Sequence, residues 1–384
     1  MTGGPDPSAA GTHIASIMHV TDTHLFVDEQ GATRPSGQRS ALVKVLARLG
    51  VQDLEFAGDD VVARLPDLLV RAVAAERDAL GDAAPVVIAH TGDAEAFGAS
   101  GRVGRFTGFA HLSSLFDAAR PDDVVTVYGN HDVWPGSVAL LGLNGPRHDA
   151  QKRSIHQHAD KIGPLPPEQP LRFPTTQGPA VTFVPINSVH SGAVRGGLLA
   201  NGRLSSHPPD TGDVIDRLRN LRLRDTDLNV AVLHHPPHAA RPITLRDRLG
   251  VGRLENGRSV AAELHRMGID LVLSGHHHRL DPPFGHGLDA SAGHQPPLPA
   301  TMAQLVALSP TMDSHRGAVD HGMAGAPRRG LCVYRIIVES SGTSFTVQRL
   351  IYPTDHPGRP TFEPAVISGI RLGPRPVTSG PPRR

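Results

Sequence analysis

The sequence has a single cysteine, Cys332, among 384 residues. That excludes an intramolecular disulfide framework and any zinc site built on paired thiolates. Net charge is almost absent: 38 Lys plus Arg stand against 37 Asp plus Glu, so the bulk basic footprint expected of a nucleic-acid or anionic-membrane binder is missing. No segment reaches the ~18 consecutive apolar residues of a membrane-spanning helix. The opening Met1-Thr2-Gly3-Gly4-Pro5-Asp6-Pro7 has no basic start running into an apolar stretch, which leaves no visible secretory signal and makes the expected location cytoplasmic. Aromatic residues are sparse, and histidine is not: 23 His outnumber the 11 Phe, 3 Tyr and 1 Trp combined, many of them beside glycine or proline. With 39% hydrophobic residues the chain can bury a full core, and a bound metal must use His, Asp and Asn.

One stretch organises the rest. Asp123-Val124-Val125-Thr126-Val127-Tyr128 is rich in β-branched residues, stops at Gly129 and then presents Asn130, His131 and Asp132. A run of this kind predicts a buried strand that delivers an amide, an imidazole and a carboxylate to a site. The same shape recurs. His13 to Val20 ends in Thr21-Asp22-Thr23-His24, where Asp22 and His24 share one side of an extended chain. Val86 to Ala89 ends in His90-Thr91-Gly92-Asp93, Leu228 to Leu233 in His234-His235-Pro236-Pro237, and Ile269 to Ser274 in Gly275-His276-His277-His278.

Between these runs the spacing of Leu42, Val45, Leu46 and Leu49 predicts a helix over 38–50. Further helices are expected over 67–80, starting after Pro66, and over 106–119, 213–223 and 256–267. Val181 to Ile186 reads as another strand, residues 133–180 as loops and short helices, and 331–352 as a C-terminal hairpin. The expected organisation is a flexible leader over 1–12, one domain over 13–355 with a helical embellishment in 31–84, and a disordered tail over 373–384.

In α/β folds the carboxyl ends of strands collect in one crevice, so five such endings bring residues more than 250 positions apart to one place. Oxygen and nitrogen donors without sulfur suit Mn, Fe or Zn. Seven or eight candidate ligands exceed the roughly four that one zinc takes, which points to two divalent metal ions sharing a carboxylate.

The order Asp-x-His, Gly-Asp, Gly-Asn-His-Asp, His-His-Pro and Gly-His-His-His, running from about Ile14 to His278, resembles the calcineurin-like metallophosphoesterase family. The resemblance implies an α/β (α+β) fold, a two-sheet β sandwich flanked by helices in four layers, αββα. It also implies a dimetal-dependent phosphoester hydrolase in which a metal-bridging hydroxide attacks phosphorus in line. Carried over by position, Asp22, His24 and His278 bind one metal, Asn130, His234 and His276 the other, and Asp93 bridges. Two divalent ions, two aspartates and a hydroxide then sum to about +1, attractive to phosphate. His131 becomes the catalytic imidazole that protonates the leaving oxygen or stabilises charge there, and Asp132 orients neighbouring groups.

The chain also departs from the family pattern. The acidic residue expected three positions after Asp93 is Ala96, with Glu95 one place short, and Asp59 in Ala57-Gly58-Asp59-Asp60 is a rival for the bridging position. Asp93 is preferred because Val86 to Ala89 makes a better strand than Asp53 to Phe56. His-His-Pro-Pro resembles the bacterial phosphodiesterase-like branch, whereas Gly92-Asp93-Ala94-Glu95-Ala96-Phe97-Gly98 lacks the Gly-Asp-aromatic-x-Asp-Arg-Gly run of protein phosphatases. Val133-Trp134 stands where cyclic-nucleotide members often carry arginine.

Singly, each motif has an ordinary explanation: a capped turn at Asp22 and His24, a loop dipeptide at Gly92-Asp93, a chance cluster at His276 to His278. Jointly and in this order they point to metal. His235 and His277 are placed outside the ligand set, His19, His90 and His238 as structural, Arg195 and Arg241 on the surface, and Trp134 in packing. The expected partner is a phosphate-ester small molecule or nucleotide, with no membrane and no nucleic acid. The alternatives are a phosphomonoesterase, protein phosphatase or nuclease on the same core, or a non-catalytic metal-binding interaction module.

Overall fold

A computed structural model describes residues 11–27, 33–35, 54–56, 59–81, 84–94, 107–133, 169–176, 178–189, 201–204, 214–237, 253–278, 302–314, 329–339, 344–354 and 365–372. The first half of the chain supplies β1 (Thr12–Val20), β2 (Leu25–Val27), β3 (Thr33–Pro35), β4 (Leu54–Phe56), α1 (Asp59–Leu80), β5 (Val86–His90), α2 (Thr107–Ala119), β6 (Asp123–Thr126), α3 (Asn130–Val133), β7 (Leu171–Phe173) and β8 (Val181–Pro185). The second half supplies α4 (Val214–Asn220), β9 (Leu228–Val232), α5 (Gly257–Arg266), β10 (Leu271–Ser274), β11 (Ala303–Val306), β12 (Met312–Ser314), β13 (Gly330–Val338), β14 (Phe345–Pro353) and β15 (Ala365–Leu372).

Two sheets form the centre, a six-stranded one in the order β15-β14-β13-β1-β5-β6 and a five-stranded one in the order β11-β10-β9-β8-β7. Their inner strands are apolar on both faces because each face meets another layer. Ile17, Val87, Ala89 and Val125 point inward to meet Phe183, Val230, Leu271 and Leu305 of the other sheet. One residue further along, Met18, Val20, Val86 and Ile88 point outward against Val62, Leu69 and Val73 of α1 and Phe109 and Leu112 of α2. On the other side Val184, Ala231 and Val272 meet Val214 and Leu218 of α4 and Val260 and Leu264 of α5. The layers are therefore helix, sheet, sheet, helix, as the family resemblance implies. Val260 and Leu264 lie one turn apart on α5, so Leu264→Ala removes a fully buried anchor and costs about 2–5 kcal/mol.

Direction matters more than order for function. β1, β5 and β6 pair in parallel, and so do β8, β9, β10 and β11. β13 to β15 return antiparallel beside β1.

The predicted strands at β1, β5, β6, β8, β9 and β10 and the hairpin β13–β14 form close to their expected bounds. The helix expected after Pro66 instead begins at Asp59 and runs through the proline. Val61, Val62, Leu65 and Leu69 already form one buried stripe on both sides of Pro66, and their packing outweighs the one backbone donor that proline removes. α1 thereby belongs to the outer helical layer. Strands β7, β11 and β15 are not anticipated in the sequence, and β15 extends the first sheet to Leu372. The helix expected over 38–50, the first ten residues and the tail from 373 lie outside the described residues. Among the described residues no helix is long and apolar enough to cross a membrane.

Candidate metal centre

Parallel pairing brings the carboxyl ends of β1, β5, β6, β9 and β10 to one edge, and each delivers part of the predicted set. Asp22, His24, Asp93 and His278 are all buried and each offers an atom within 4.8 Å of the others. His278 Nε2 lies 3.1 Å from Asp22 Oδ1 and 3.2 Å from His24 Nε2. Beside this group, His234 Nε2 lies 3.0 Å from Asn130 Oδ1, 3.0 Å from His276 Nδ1 and 3.4 Å from Asp93 Oδ2. Asp93 Oδ2 is also 3.7 Å from His24 Nε2, so one carboxylate oxygen faces both groups.

The hydrogen bonding is lopsided. Asp93 Oδ1 accepts the His131 backbone N–H at 2.8 Å, while Oδ2 and Asn130 Nδ2 are buried with no hydrogen-bond partner. His234 Nδ1 lies 2.7 Å from the Thr91 carbonyl, which only accepts, so Nδ1 carries the proton and the Nε2 lone pair faces Asn130 Oδ1 and Asp93 Oδ2. Acceptors thus point at acceptors in a buried pocket, an arrangement that a cation lodged between them, or a proton, relieves. In the metal-free chain a proton does this. Burial opposes a charge on His234, but Asp93 and then Asp22 and the Thr91 carbonyl raise it to about 9. Burial would likewise push the two carboxyls up. His278 and His234 around Asp22, and His234, His131 and His24 around Asp93, more than reverse it and hold both below the usual carboxylate range. His24 is pushed down to about 3 by burial and then by His131, and stays neutral. Ionised carboxylates and a neutral imidazole are the states a divalent ion requires.

Backbone strain is concentrated at the same place. Five of the six described non-glycine residues in the left-handed region are Asp22 (φ 50), His24 (φ 43), Asp93 (φ 55), His276 (φ 70) and His278 (φ 53). Each such residue costs about 1–3 kcal/mol and persists only when its surroundings over-determine it. Here Asp22 N–H donates to Gly92 O and His24 N–H to Asp93 O, both at 2.9 Å, and His276 N–H donates to Asp22 Oδ2 at 2.9 Å. Two glycines make the close approach possible: a Cβ would fall 2.0 Å from Asp93 Oδ1 at Gly129 and 1.9 Å from Thr21 Oγ1 at Gly275.

Two further predicted residues sit at the rim of the set. His131 is half-buried, with its ring edge-on to His24 at 4.7 Å. The buried Asp132 turns to the backbone: its Oδ2 accepts the N–H groups of Gly129 at 2.7 Å and Asp93 at 2.9 Å, tying the β5 ending to the β6 ending. His235 is held by Ser188 Oγ at 3.0 Å, and His19 bridges Tyr334 and Thr91 in the interior. His90 is buried with neither ring nitrogen partnered, and burial pushes it down to about 4. Asp59 opens α1. Glu95, Ala96, Trp134, Arg195, His238 and Arg241 lie outside the described residues.

Ser309 and Thr311 also bond to this site and are absent from the predicted set. They follow the apolar run Leu305 to Leu308, the same strand-to-polar transition that marks the other loops.

The calcineurin-like phosphoesterase family model matches residues 15–280. No curated protein sequence matches the chain. Among solved structures, purple acid phosphatase PPD1 from yellow lupin (Lupinus luteus) seeds aligns with a TM-score of 0.49 and 11% identity, over 94% of this chain and 54% of that one. The chain therefore spans about half the length of that protein. The calcineurin-like phosphoesterase YfkN from Bacillus subtilis aligns with a TM-score of 0.38 and 10% identity, over 94% of this chain and 90% of that one.

Proposed function

The chain belongs to the calcineurin-like phosphoesterase family, hydrolases of phosphate esters, and from that premise we propose that it is a phosphodiesterase working with two divalent ions. Asp22, His24 and His278 hold one ion, Asn130, His234 and His276 the other, and Asp93 is shared. The observation that carries this reading is the buried Asp93 Oδ2, without a hydrogen-bond partner yet 3.4 Å from His234 Nε2 and 3.7 Å from His24 Nε2. The donor set fits Mn, Fe or Zn, being oxygen and imidazole nitrogen without sulfur. When bound, the ions supply a water of lowered pKa and withdraw charge from the phosphoryl oxygens.

The chain's own residues do the rest. Asp132 fixes the Gly129 and Asp93 amides, and through them the Asn130 amide and the shared carboxylate. Thr91 O fixes the His234 tautomer. The His131 ring stands edge-on to His24 and, as imidazolium, would pass a proton to the departing ester oxygen, or as a hydrogen-bond donor stabilise the charge there. His234-His235-Pro236-Pro237, together with the missing protein-phosphatase run after Gly92-Asp93, favours a diester substrate of small-molecule or nucleotide type.

The test is hydrolysis of bis(p-nitrophenyl) phosphate beside p-nitrophenyl phosphate by metal-stripped protein with Mn, Fe, Zn or Mg restored. The expected result is metal-dependent turnover, faster on the diester, and lowered by about 10²–10⁴-fold in His131→Ala. Preference for the monoester overturns the diester assignment, and no turnover with any metal overturns the reading.

A further inference from the structure

β11 runs parallel to β10, so it ends at the same edge as the candidate ligands, and it leads into Ser309-Pro310-Thr311, beyond the 15–280 family match. Ser309 Oγ donates to the Asp22 carbonyl at 2.6 Å, and Thr311 Oγ1 donates to the Thr23 carbonyl at 2.7 Å. Thr311 N–H in turn donates to Ser309 Oγ at 3.1 Å, which leaves the serine proton free to point at Asp22. The tripeptide is anchored from the first sheet as well: Thr354 Oγ1 donates to Pro310 O at 2.8 Å and Gly330 N–H to Ser309 O at 3.3 Å. Ser309 and Thr311 are essentially fully buried, so both hydroxyls depend on these partners within the protein.

The carbonyls they hold belong to the Asp22-Thr23-His24 turn, whose two candidate ligands both adopt left-handed backbone. Strain of this kind relaxes unless something opposes it. We infer that Ser309 and Thr311 are positioning residues for the ion site formed by Asp22, His24 and His278, an inference that rests on the proposed metal centre. Removing the Thr311 hydroxyl takes the 2.7 Å donor from the Thr23 carbonyl, and removing the Ser309 hydroxyl leaves the Asp22 carbonyl only the 3.4 Å bond from Thr311 Oγ1; either change lets Asp22 and His24 move together. Both hydroxyls bond the backbone of the Asp22–Thr23 turn itself, whereas the Asn130, His234 and His276 group meets that turn through His276 N–H on Asp22 Oδ2 and through Asp93. The effect should therefore fall mainly on one of two ions.

The experiment titrates metal-stripped full-length protein with Mn²⁺ by calorimetry and with Co²⁺ by visible absorption, for wild type, Ser309→Ala, Thr311→Val, Ser309→Thr and Thr311→Ser. The expected result is one site weakened about 10- to 100-fold in Ser309→Ala and Thr311→Val, with loss of one Co²⁺ absorption component. The other site keeps its affinity, and Thr311→Ser restores wild-type binding. If Ser309→Ala fails to fold, the near-isosteric Thr311→Val decides alone. Two unchanged sites in folded variants, or a Thr311→Ser as weak as Thr311→Val, overturn this inference and leave the metal centre standing. A wild type that binds no ion overturns the metal centre itself.

Discussion

Glu76 and Asp93 are both buried carboxylates attached to the first sheet, and both are held ionised below their usual range, yet their surroundings are opposite in kind. On the outer face of the sheet, Glu76 Oε2 accepts from Ser16 Oγ at 2.7 Å and Arg335 Nε at 2.8 Å, and Oε1 accepts from Arg335 Nη2 and Tyr352 OH, both at 2.9 Å. Donors surround it, and nothing more is needed. At the sheet's edge Asp93 Oδ2 has no neutral hydrogen-bond donor and faces the ring nitrogens of His234 and His24 at 3.4 and 3.7 Å. The first cluster is closed and joins α1 to β1, β13 and β14. The second is strained in its backbone and leaves one carboxylate oxygen for the ion proposed there. A buried carboxylate is thus a poor marker of function by itself; whether donors satisfy it is the discriminating fact.

The largest effect that sharpens this contrast is Asp93→Asn. Hydrolysis should fall on the order of 10³-fold, the upper end for loss of one electrostatic group, measured with saturating metal and diester. Glu76→Ala should leave metal stoichiometry intact and instead cost stability. The cost is about 3 kcal/mol, at the low end for a broken buried pair because Arg335 is partly exposed, and denaturant unfolding reads it. Next in size, divalent metal at about a hundred times its Kd should raise wild-type stability by about 2.7 kcal/mol for each ion bound, and Glu76→Gln should show the same gain while Asp93→Asn shows less. Tyr352→Phe should cost about 1 kcal/mol, one hydrogen bond, without touching metal affinity.

The closed cluster also has an acid signature. Burial pushes Glu76 up, but bonds from Arg335 and Ser16, then the Arg335 charge and the Tyr352 bond, bring it below its ordinary value of 4.5. A depressed folded pKa gives stability that is fully present above the unfolded value and is lost as pH falls through the folded one. The stability gap between wild type and Glu76→Gln should therefore close on acidification below about 4.5, as unfolding midpoints across pH would show.

The sequence made the centre of the fold legible because parallel buried strands announce themselves as unbroken apolar runs, and five of these end in metal-competent residues. Asp22, His24, Asp93, Asn130, His234, His276 and His278 could be picked out because each follows such a run. Ser309 and Thr311 could not be picked by the same rule, since a hydroxyl is too common at strand ends to stand out. The Glu76 cluster was hidden for a different reason: Ser16, Glu76, Arg335 and Tyr352 are joined by strand register and helix packing, which no local pattern encodes. Pro66 misplaced the start of α1 because a local rule gave way to packing. The Thr91 carbonyl that sets the His234 tautomer is backbone, and backbone partners leave no trace in residue identity.

The most direct test is low-temperature electron paramagnetic resonance of the metal-stripped chain reloaded with Mn²⁺. Two ions sharing the Asp93 carboxylate should give the spectrum of an exchange-coupled pair, and Asp93→Asn should lose it. A wild-type spectrum showing only isolated Mn²⁺ at full loading, unchanged in Asp93→Asn, would contradict the shared-carboxylate centre on which the account rests.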